Sequence, residues 1–576
     1  MNQKLENILN VSLDATEDEL RKADSLSTGY NWRDNTWEII VKYSGSLESI
    51  RNRYNVYIKE LLNYYAIIVA DKATIELISQ EDVIDYVEKP KSLYYQIERT
   101  KTAACVGSMR ADGNILSGKG VIVGVIDTGI DIFDNAFRNS DGTTRILNIY
   151  DQTTGEKYDK QSIDEYIRLN EDLSGGTFSY DNAPGVDNIM HGTDVSYIAA
   201  GSLGVAYEAD IIAVKMGYSI NNQFPRTTSL MDAIDYIIRK AIEYRKPVAV
   251  NISYGCNYGA HNGNTLLESF IDDISKSYRC VICVGSGNEA DKAIHFGGII
   301  NTGQVQTAYL SVGEYQSAID IQIWKNYWDT IDVMLINPRG EQIGIITEGR
   351  INRYETYNTE IITLLGEPSP YNIYQEIYIN LIPKTDYILS GIWQIVLMAG
   401  SIRAGEYNIW LPSSQALGYA TAFNNPTADG TITIPATARN CIAVGAYNAY
   451  TNSYAAFSGR GFDNSIRNVN AGVKPDITAP GVDISIARQR GNDITYRNVT
   501  GTSYAVPVVT GAAALLMQWG IVMGNDRFMY GEKLKAALIN GSKPVGLVGI
   551  TRNDNQPDPR TGWGAVCLKN TLNKIL

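Results

Sequence analysis

The sequence lacks several features that would assign it to a class of proteins. It has no basic excess: 50 Lys and Arg stand against 63 Asp and Glu, and the net charge of −13 argues against nucleic acid and anionic membrane as partners. No apolar stretch approaches the length of a transmembrane helix, so we expect no membrane span. Residues 1–10, MNQKLENILN, lack the apolar core of a secretory signal. We therefore expect synthesis in the cytoplasm without ordinary export.

Cysteine and histidine are also scarce, with six and three residues. Cys280 and Cys283 form a C-x-x-C pair, but they lie in a predicted strand, where residues three apart point to opposite faces of a sheet. The pair is therefore poorly placed to chelate a metal or to form a disulfide, and we interpret the cysteines as buried thiols. His191, His261 and His295 are the only candidates for a histidine base.

Ser503 lies in the segment NVTGTSYAVP, residues 498–507, and a run of small and apolar residues follows it. The run predicts a buried helix, with Ser503 in its first turn beside free backbone N–H groups and the positive end of the dipole. This position suits a nucleophile whose product is an oxyanion. Gly501 permits a tight turn before it, and Pro507 falls in the first turn, where a missing N–H costs little. A serine that only caps a core helix also fits the segment.

Two further segments favour the nucleophile. Residues 121–127, VIVGVID, predict a buried parallel strand with Asp127 at its carboxyl end, where α/β sheets bind ligands. His191 begins a second predicted helix of small residues. The order Asp, His, Ser along the chain is the subtilisin order, and it differs from the orders in chymotrypsin and in the α/β hydrolases.

With these motifs the sequence resembles the subtilisin-like serine proteases, the subtilases, over residues 100–290 and 430–570. The resemblance implies a catalytic triad of Asp127, His191 and Ser503, and an oxyanion hole to which Asn288, in the loop GSGN, donates a hydrogen bond. Subtilases also bind the substrate backbone as an added strand. The segments that match those strands and the adjoining pocket supply Ser253, Tyr254, Gly255, Gly285, Ser286 and Gly287.

Each motif has a structural alternative. Asp-Thr-Gly is also the aspartic-protease signature, but that dyad needs two such loops, and no second Asp-Thr-Gly or Asp-Ser-Gly occurs. His191 could be a histidine of the core, and Asn288 a turn residue. His261 and His295 lie in Gly-rich loops, match no motif and are predicted to be structural. After Ser503 the residues YAVPVV depart from the methionine and histidine that many subtilases have there, from which we expect altered packing rather than lost activity.

Residues 1–96 are predicted to form an N-terminal domain. From residue 37 short strands and helices alternate, which predicts a small α/β sandwich of the ferredoxin type. The resemblance to subtilases implies a prodomain that assists folding and caps the active site, bound with its tail in the substrate cleft of its own protease. We expect self-cleavage between residues 92 and 102, with Gln96 before the cut. A regulatory domain that is never cut is the alternative.

The length of chain between Asn288 and Ser503, 215 residues, exceeds what a subtilase core requires. Residues 299–425 contain about eight predicted strands and no predicted helix, which indicates an inserted β-sandwich of the jelly-roll type. The predicted fold class is therefore α/β, a subtilisin-like parallel sheet with helices on both faces, formed by residues 97–298 and 426–576. The N-terminal α/β prodomain and the β-sandwich are added to it.

The combination of prodomain, subtilase core and long β insertion resembles the Csp-type subtilases of clostridial spores. In that group the protease activates the precursor of a spore-cortex hydrolase during germination, and some members have lost triad residues. Asp127, His191 and Ser503 are all present here. The resemblance therefore implies an active, monomeric, spore-associated serine endopeptidase with a protein substrate.

No metal or organic cofactor is required for this chemistry. Calcium sites are common in subtilases, but the sequence does not locate one. Two alternative functions stay open from the residues alone: an inactive subtilase-like scaffold or receptor, and an intracellular housekeeping subtilase without a spore role.

Overall fold

A computed structural model describes most of the chain and divides it into two units, Met1–Tyr95 and Gln96–Leu576. The described residues are 4–17, 20, 29–61, 64–88, 104–105, 110–111, 114–171, 183–217, 225–346, 351–368, 372–462, 473–490, 493–546 and 557–576. Gln96, the residue predicted to precede the cut, and all of residues 92–102 lie outside them, so the predicted cleavage site stays a prediction.

The first unit contains a five-stranded antiparallel sheet. In Thr36–Tyr43 every second residue is buried, which is the pattern of a strand with one face on a core. Glu48–Tyr54 and Lys72–Ile78 are helices that connect the main strands in the β-α-β-β-α-β order of ferredoxin-like folds, and Asn7–Asp14 is a helix that precedes them. The strand order is Tyr30–Asn31, Thr36–Tyr43, Tyr65–Ala70, Tyr57–Leu61. The fifth strand, Ile84–Glu88, pairs with Thr36–Tyr43 on the edge away from Tyr65–Ala70.

The second unit is built on a nine-stranded sheet. Ile122–Asp127 lies at its centre and is buried along its whole length, as expected for a β-branched run inside a parallel sheet. Parallel pairing places the carboxyl ends of the central strands at one edge, and Asp127 is at that edge. The order is Glu156–Asp159, Ile146–Asp151, Asp210–Lys215, Ile122–Asp127, Val248–Ile252, Cys280–Gly285, Ile442–Asn448, Ser453–Tyr454, with Ile477–Pro480 parallel to Ile442–Asn448.

Helices cover both faces of this sheet. The His191 helix, His191–Ala200, and the Ser503 helix, Thr502–Met517, pack on one face. Thr227–Tyr244 and Leu266–Ser277 pack on the other. Cys283 belongs to the first core and Cys280 to the second, so the C-x-x-C pair is split between opposite faces. Further helices are Lys160–Glu171, Gly531–Gly541 and Leu568–Ile575.

The Ser503 helix continues as a π-helical segment, Gln518–Val522. Together the two span 21 residues, Thr502–Val522, and are long and apolar enough to cross a membrane on composition alone. The expectation that no stretch reaches this length was therefore wrong. However, 89% of that window is buried inside the structure, as it is for a core helix.

Two antiparallel sheets between His295 and Phe423 share a hydrophobic core of their own. They contain eleven strands, more than the eight predicted, because three short or amphiphilic strands at sheet edges carry weak sequence signals. One sheet has the order His295–Ile299, Glu406–Trp410, Ile319–Asn326, Tyr374–Pro383, Thr359–Leu365, Ile351–Glu355. The other has the order Gln342–Ile343, Ile331–Ile336, Gly391–Ala399, Val305–Val312, Ala422–Phe423.

A disulfide joins Cys105 to Cys567, at the start of the helix Leu568–Ile575. The interpretation of all six cysteines as thiols was therefore wrong for this pair. The remaining four, Cys256, Cys280, Cys283 and Cys441, are free. The pairing could not be inferred from spacing, because 462 residues separate the two partners along the chain.

Candidate active site

Asp127 and His191 meet at the carboxyl edge of the central sheet. Nδ1 of His191 lies 2.6 Å from Oδ1 of Asp127, which also accepts a hydrogen bond from the N–H of Thr128 at 2.8 Å. The carboxylate is 1% exposed and the imidazole 26% exposed. Gly192 makes this approach possible, since a Cβ there would lie 2.3 Å from the carbonyl oxygen of Gly129.

Asp187 fixes the backbone on which His191 is presented. Its Oδ1 accepts hydrogen bonds from the N–H of Met190 at 2.7 Å and from the hydroxyl of Thr128 at 2.8 Å. Its Oδ2 accepts two more, both at 2.8 Å, from the N–H and hydroxyl of Thr193. This buried carboxylate therefore satisfies free N–H groups at the start of the His191 helix and ties them to the strand that ends in Asp127.

Burial and the neighbouring charges shift the pKa of His191 in opposite directions. Burial disfavours the charged imidazolium, but the negative charge of Asp127 and its hydrogen bond outweigh burial and raise the pKa of His191 above its ordinary 6.5. Asp187 contributes in the same direction, and the positive charge of Arg497 acts against it. An imidazole of this kind accepts a proton more readily than a free histidine, as a general base must.

Ser503 lies in the first turn of its helix, directly after Thr502 and a left-handed Gly501 with φ of 152°. It is half-buried, and its carbonyl oxygen accepts a hydrogen bond from the hydroxyl of Ser253 at 3.3 Å. The ring of its neighbour Tyr504 lies 5.3 Å from the ring of His191. The predicted nucleophile and the predicted base thus belong to adjoining helices at one edge of the sheet.

Asn288 follows the strand Cys280–Gly285, and its side chain reaches the turn before Ser503. Its Oδ1 accepts hydrogen bonds from the N–H and the hydroxyl of Thr502, at 3.0 and 3.1 Å. Its Nδ2 lies 3.6 Å from the position that a Cβ on Gly501 would take. The side-chain amide is therefore oriented by its oxygen, and its N–H donor stands beside the turn that precedes Ser503.

Thr433, which the sequence analysis did not identify, lies between the two segments predicted to bind substrate, one with Gly255 and the other with Gly287. A Cβ on Gly255 would lie 2.4 Å from the Thr433 hydroxyl, and a Cβ on Gly287 would lie 2.5 Å from its methyl group. The N–H of Thr433 also bonds the carbonyl of Ser286 at 3.1 Å. Thr433 therefore closes the space between the two glycines, and any side chain at either position would collide with it.

The other predicted substrate-binding residues differ in what they can offer. Ser253 contacts the Ser503 turn through its hydroxyl. Ser286 is fully buried with its hydroxyl 3.3 Å from that of Ser458, and its N–H and carbonyl are bonded to Val444 and Thr433, so it holds the loop in place. Tyr254 is half-buried and packs on the core beside the helix Thr227–Tyr244. Gly285 abuts the hydroxyl of Thr502, at 3.3 Å from the position of a Cβ.

His261 and His295 lie apart from these groups. Both rings stack on the buried Trp410, with centroid distances of 4.2 Å for His261 and 4.9 Å for His295. Burial lowers the pKa of His295 to about 4. Within the described residues, no group of three or more His, Cys, Asp or Glu side chains could hold a metal ion.

Two models of known protein families match this chain, one over the N-terminal unit and one over the rest. The model of the subtilase family matches residues 118–368 and 404–564. The chain belongs to the subtilase family. A second model, the Csp protease B prodomain, matches residues 3–91 of this subtilase. These matches confirm the predicted resemblance to Csp-type subtilases. They also confirm the α/β subtilase fold and the assignment as a serine endopeptidase.

Among solved structures, this subtilase is similar to the CspB protease of Clostridium perfringens, at 33% identity and a TM-score of 0.75. The match covers 83% of this chain and 97% of that one. Curated relatives match shorter segments. They include the subtilase-type proteinase RRT12 of Saccharomyces cerevisiae, 33% identical over 22% of this chain and 23% of its own, and subtilisin-like protease 10 of Arthroderma otae, 34% identical over 21% and 27%. This subtilase thus spans about a quarter of the length of these curated relatives.

Proposed function

We propose that this subtilase hydrolyses peptide bonds with a triad of Asp127, His191 and Ser503. The observation that carries the proposal is the 2.6 Å hydrogen bond between the His191 ring and the buried Asp127 carboxylate. It directs Nδ1 of the imidazole toward the aspartate, and so leaves Nε2 to take the proton of a serine hydroxyl. Ser503 is the serine whose helix adjoins that ring.

Each step then has an assigned group. The Ser503 oxygen attacks the substrate carbonyl while His191 accepts its proton and later delivers it to the leaving amine. Asp127 stabilises the imidazolium that forms in between. The oxyanion accepts hydrogen bonds from the Asn288 amide and from a backbone N–H at the start of the Ser503 helix. No metal or organic cofactor takes part in these steps.

We assign the pocket for the residue before the scissile bond to the space between Gly255 and Gly287. The substrate backbone pairs with Ser253-Tyr254-Gly255 as an added strand. Because the Thr433 side chain fills the base of this space, the pocket is shallow and ends in a hydroxyl group. A short or polar side chain suits it better than an aromatic ring.

The physiological role is proposed from the relatives. A match to the Csp protease B prodomain supports a prodomain that is cut by its own protease between residues 92 and 102, with Gln96 before the cut, and that stays bound as a partner. The resemblance to Csp-type subtilases supports a protein precursor as substrate, such as the zymogen of a spore-cortex hydrolase during germination. We further propose synthesis in the cytoplasm, association with the spore and a monomeric state.

A fluorophosphonate probe tests the proposed triad, because it reacts only with an activated serine. We expect native protein whose prodomain has been removed by limited proteolysis to be labelled on Ser503, as located by peptide mapping, and heat-denatured protein to remain unlabelled. Native protein that takes no label once the prodomain has been removed would contradict the proposal and favour an inactive scaffold.

A further inference from the structure

A β-hairpin leads directly into the Ser503 turn. It consists of the antiparallel strands Ile484–Arg490 and Asp493–Val499, and we call it the arginine hairpin. Its base is closed by a hydrogen bond from the N–H of Asp483 to the hydroxyl of Thr500, at 2.9 Å. The N–H of Gly501 then bonds the carbonyl of Gly481, also at 2.9 Å. Movement of the hairpin is therefore transmitted to the turn before the nucleophile.

Two arginines of the hairpin converge on one carboxylate of the His191 helix. Nε of Arg488 donates to Oδ1 of Asp194 at 2.9 Å, and Arg497 donates to Oδ2. Both carboxylate oxygens are thus engaged by the hairpin. Asp194 is fully buried and the Arg488 side chain is 12% exposed, whereas that of Arg497 is 42% exposed.

Arg488 makes a further contact at the start of the same helix. Its Nη2 donates to the carbonyl of Met190 at 2.8 Å. Met190 has the left-handed φ of 66°, which costs energy for a residue with a side chain and persists where surrounding contacts hold it. The N–H of Met190 is held by Asp187, so both polar groups of its backbone are bonded by charged side chains.

Burial makes this arrangement rigid. A carboxylate removed from water is costly unless it is paired and hydrogen-bonded, so Asp194 favours the one geometry in which both arginines reach it. Its place in the first turn of the His191 helix, next to the positive end of the dipole, favours the same charge. The Asp194 carboxylate bonds Arg488 and Arg497, and its N–H bonds the carbonyl of Met190. These contacts tie the hairpin to the helix and do not involve the Asp127–His191 pair.

We infer that Asp194, together with Arg488 and Arg497, is a positioning group that holds the His191 helix in register with the Ser503 turn. This inference rests on the proposed triad. His191 and Ser503 come from segments far apart in the chain, and the Asp194 contacts join the helix of one to the hairpin that precedes the other. A misplacement of about 1 Å between reacting groups costs about 10²-fold in rate.

The consequence is a separation between kcat and KM. Substrate is bound by the strand Ser253-Tyr254-Gly255 and the glycine-lined pocket, whereas the Asp194 hydrogen bonds go to Arg488, Arg497 and Met190. We expect Asp194→Asn to lower kcat by about 10- to 10²-fold with KM within about twofold, because only the alignment of base and nucleophile is disturbed.

The experiment measures kcat per active site on a quenched fluorescent peptide spanning residues 92–102. It is run on the alkaline plateau of the pH profile, because the charge of Arg497 also acts on the pKa of His191. Active sites are counted by end-point labelling with the fluorophosphonate probe, so unfolded molecules do not contribute. Asp194→Asn leaves Arg488 buried without its counter-charge and can fail to fold. Arg497→Gln is therefore the second variant, because this arginine is partly exposed; we expect a several-fold loss of kcat, and Arg497→Lys should recover part of it.

Asp329→Asn is the matched control. Asp329 is a buried carboxylate of the β-sandwich that accepts hydrogen bonds from the N–H groups of Arg403, Ala404 and Gly405. It should lower the melting temperature and leave kcat per labelled site at the wild-type value. If Arg497→Gln also keeps wild-type kcat, the positioning role is refuted while the triad stands. If wild-type protein freed of its prodomain takes no label, the proposed triad itself is refuted.

Discussion

The side-chain oxygen of Asn288 accepts two hydrogen bonds from Thr502, one from its N–H at 3.0 Å and one from its hydroxyl at 3.1 Å. An amide held through its oxygen must present its NH₂ group elsewhere, and here that group lies beside Gly501. The residue before the nucleophile thus orients the proposed oxyanion donor. The neighbouring Glu289 is held as well, by the N–H and hydroxyl of Ser414 at 3.1 and 3.2 Å.

This geometry predicts the effect of removing the donor. Asn288→Ala should lower kcat by about 10²–10³-fold and leave KM little changed, because the lost hydrogen bond strengthens only as the oxyanion develops. Steady-state kinetics on the peptide spanning residues 92–102 measure both constants. Thr502→Val is the control: it removes one of the two bonds to Asn288, keeps the donor and should cost less. A wild-type kcat for Asn288→Ala would exclude Asn288 from the mechanism.

The pH dependence of kcat follows from the environment of His191. The base works only when neutral, so activity falls as the pH drops through the His191 pKa, which Asp127 raises. Asp127→Asn removes the charge that raises the His191 pKa most. It leaves burial and Arg497, which lower that pKa, and the smaller raising effect of Asp187. We expect the acid limb of the pH profile to move to lower pH, and the plateau of kcat to fall about 10⁴-fold.

His295→Gln is the control for that profile, since His295 is buried on Trp410 with a pKa already lowered to about 4. Its acid limb should coincide with that of the wild type. A limb that moves to higher pH in Asp127→Asn, or that moves equally in His295→Gln, would assign the titration to a group other than His191.

Thr433 predicts a change of specificity. Thr433→Gly removes the side chain between Gly255 and Gly287 and deepens the pocket. We compare kcat/KM for peptides with a large residue before the scissile bond with kcat/KM for peptides with a small one. The ratio of the two should rise about 10- to 10²-fold in the variant. Thr433→Val keeps the volume and removes only the hydroxyl, and it should preserve the size preference. Unchanged ratios in Thr433→Gly would place the pocket elsewhere.

The Cys105–Cys567 disulfide predicts a loss of stability on its removal. Because it closes a loop of 462 residues, Cys105→Ala should lower the free energy of unfolding by about 2–5 kcal/mol. Denaturant unfolding of Cys105→Ala, Cys567→Ala and the double variant checks this, and all three should lose about the same amount. A double variant that loses the sum of both single losses would show that the two side chains act separately.

The sequence predicted the parts of the molecule that depend on local pattern. Ile122–Asp127 is an unbroken apolar run with an acid at its end, and the small residues after His191 and Ser503 predict buried helices, all as the structure has them. The parts that it did not predict depend on contacts between distant segments. The Cys105–Cys567 pairing is of this kind.

Thr433 escaped notice for the same reason, because its importance arises from two glycines on separate loops. A signal was nevertheless present: a threonine directly before Ile-Pro, at the point where the chain returns from the insertion to the core. Asp194 offered a second signal, since a charged residue within the small and apolar His191 helix requires a buried partner. Which arginines serve as that partner could be read only from the fold.

The most direct test of the account is self-processing by Ser503. Wild-type protein purified without other proteases should run as two fragments under denaturing conditions, the smaller ending near Gln96 by mass spectrometry. Ser503→Ala should run as one full-length chain, because it removes the nucleophile while a half-buried hydroxyl contributes little to stability. If Ser503→Ala is still cut at the wild-type site under these conditions, Ser503 is not the nucleophile and the central claim is contradicted.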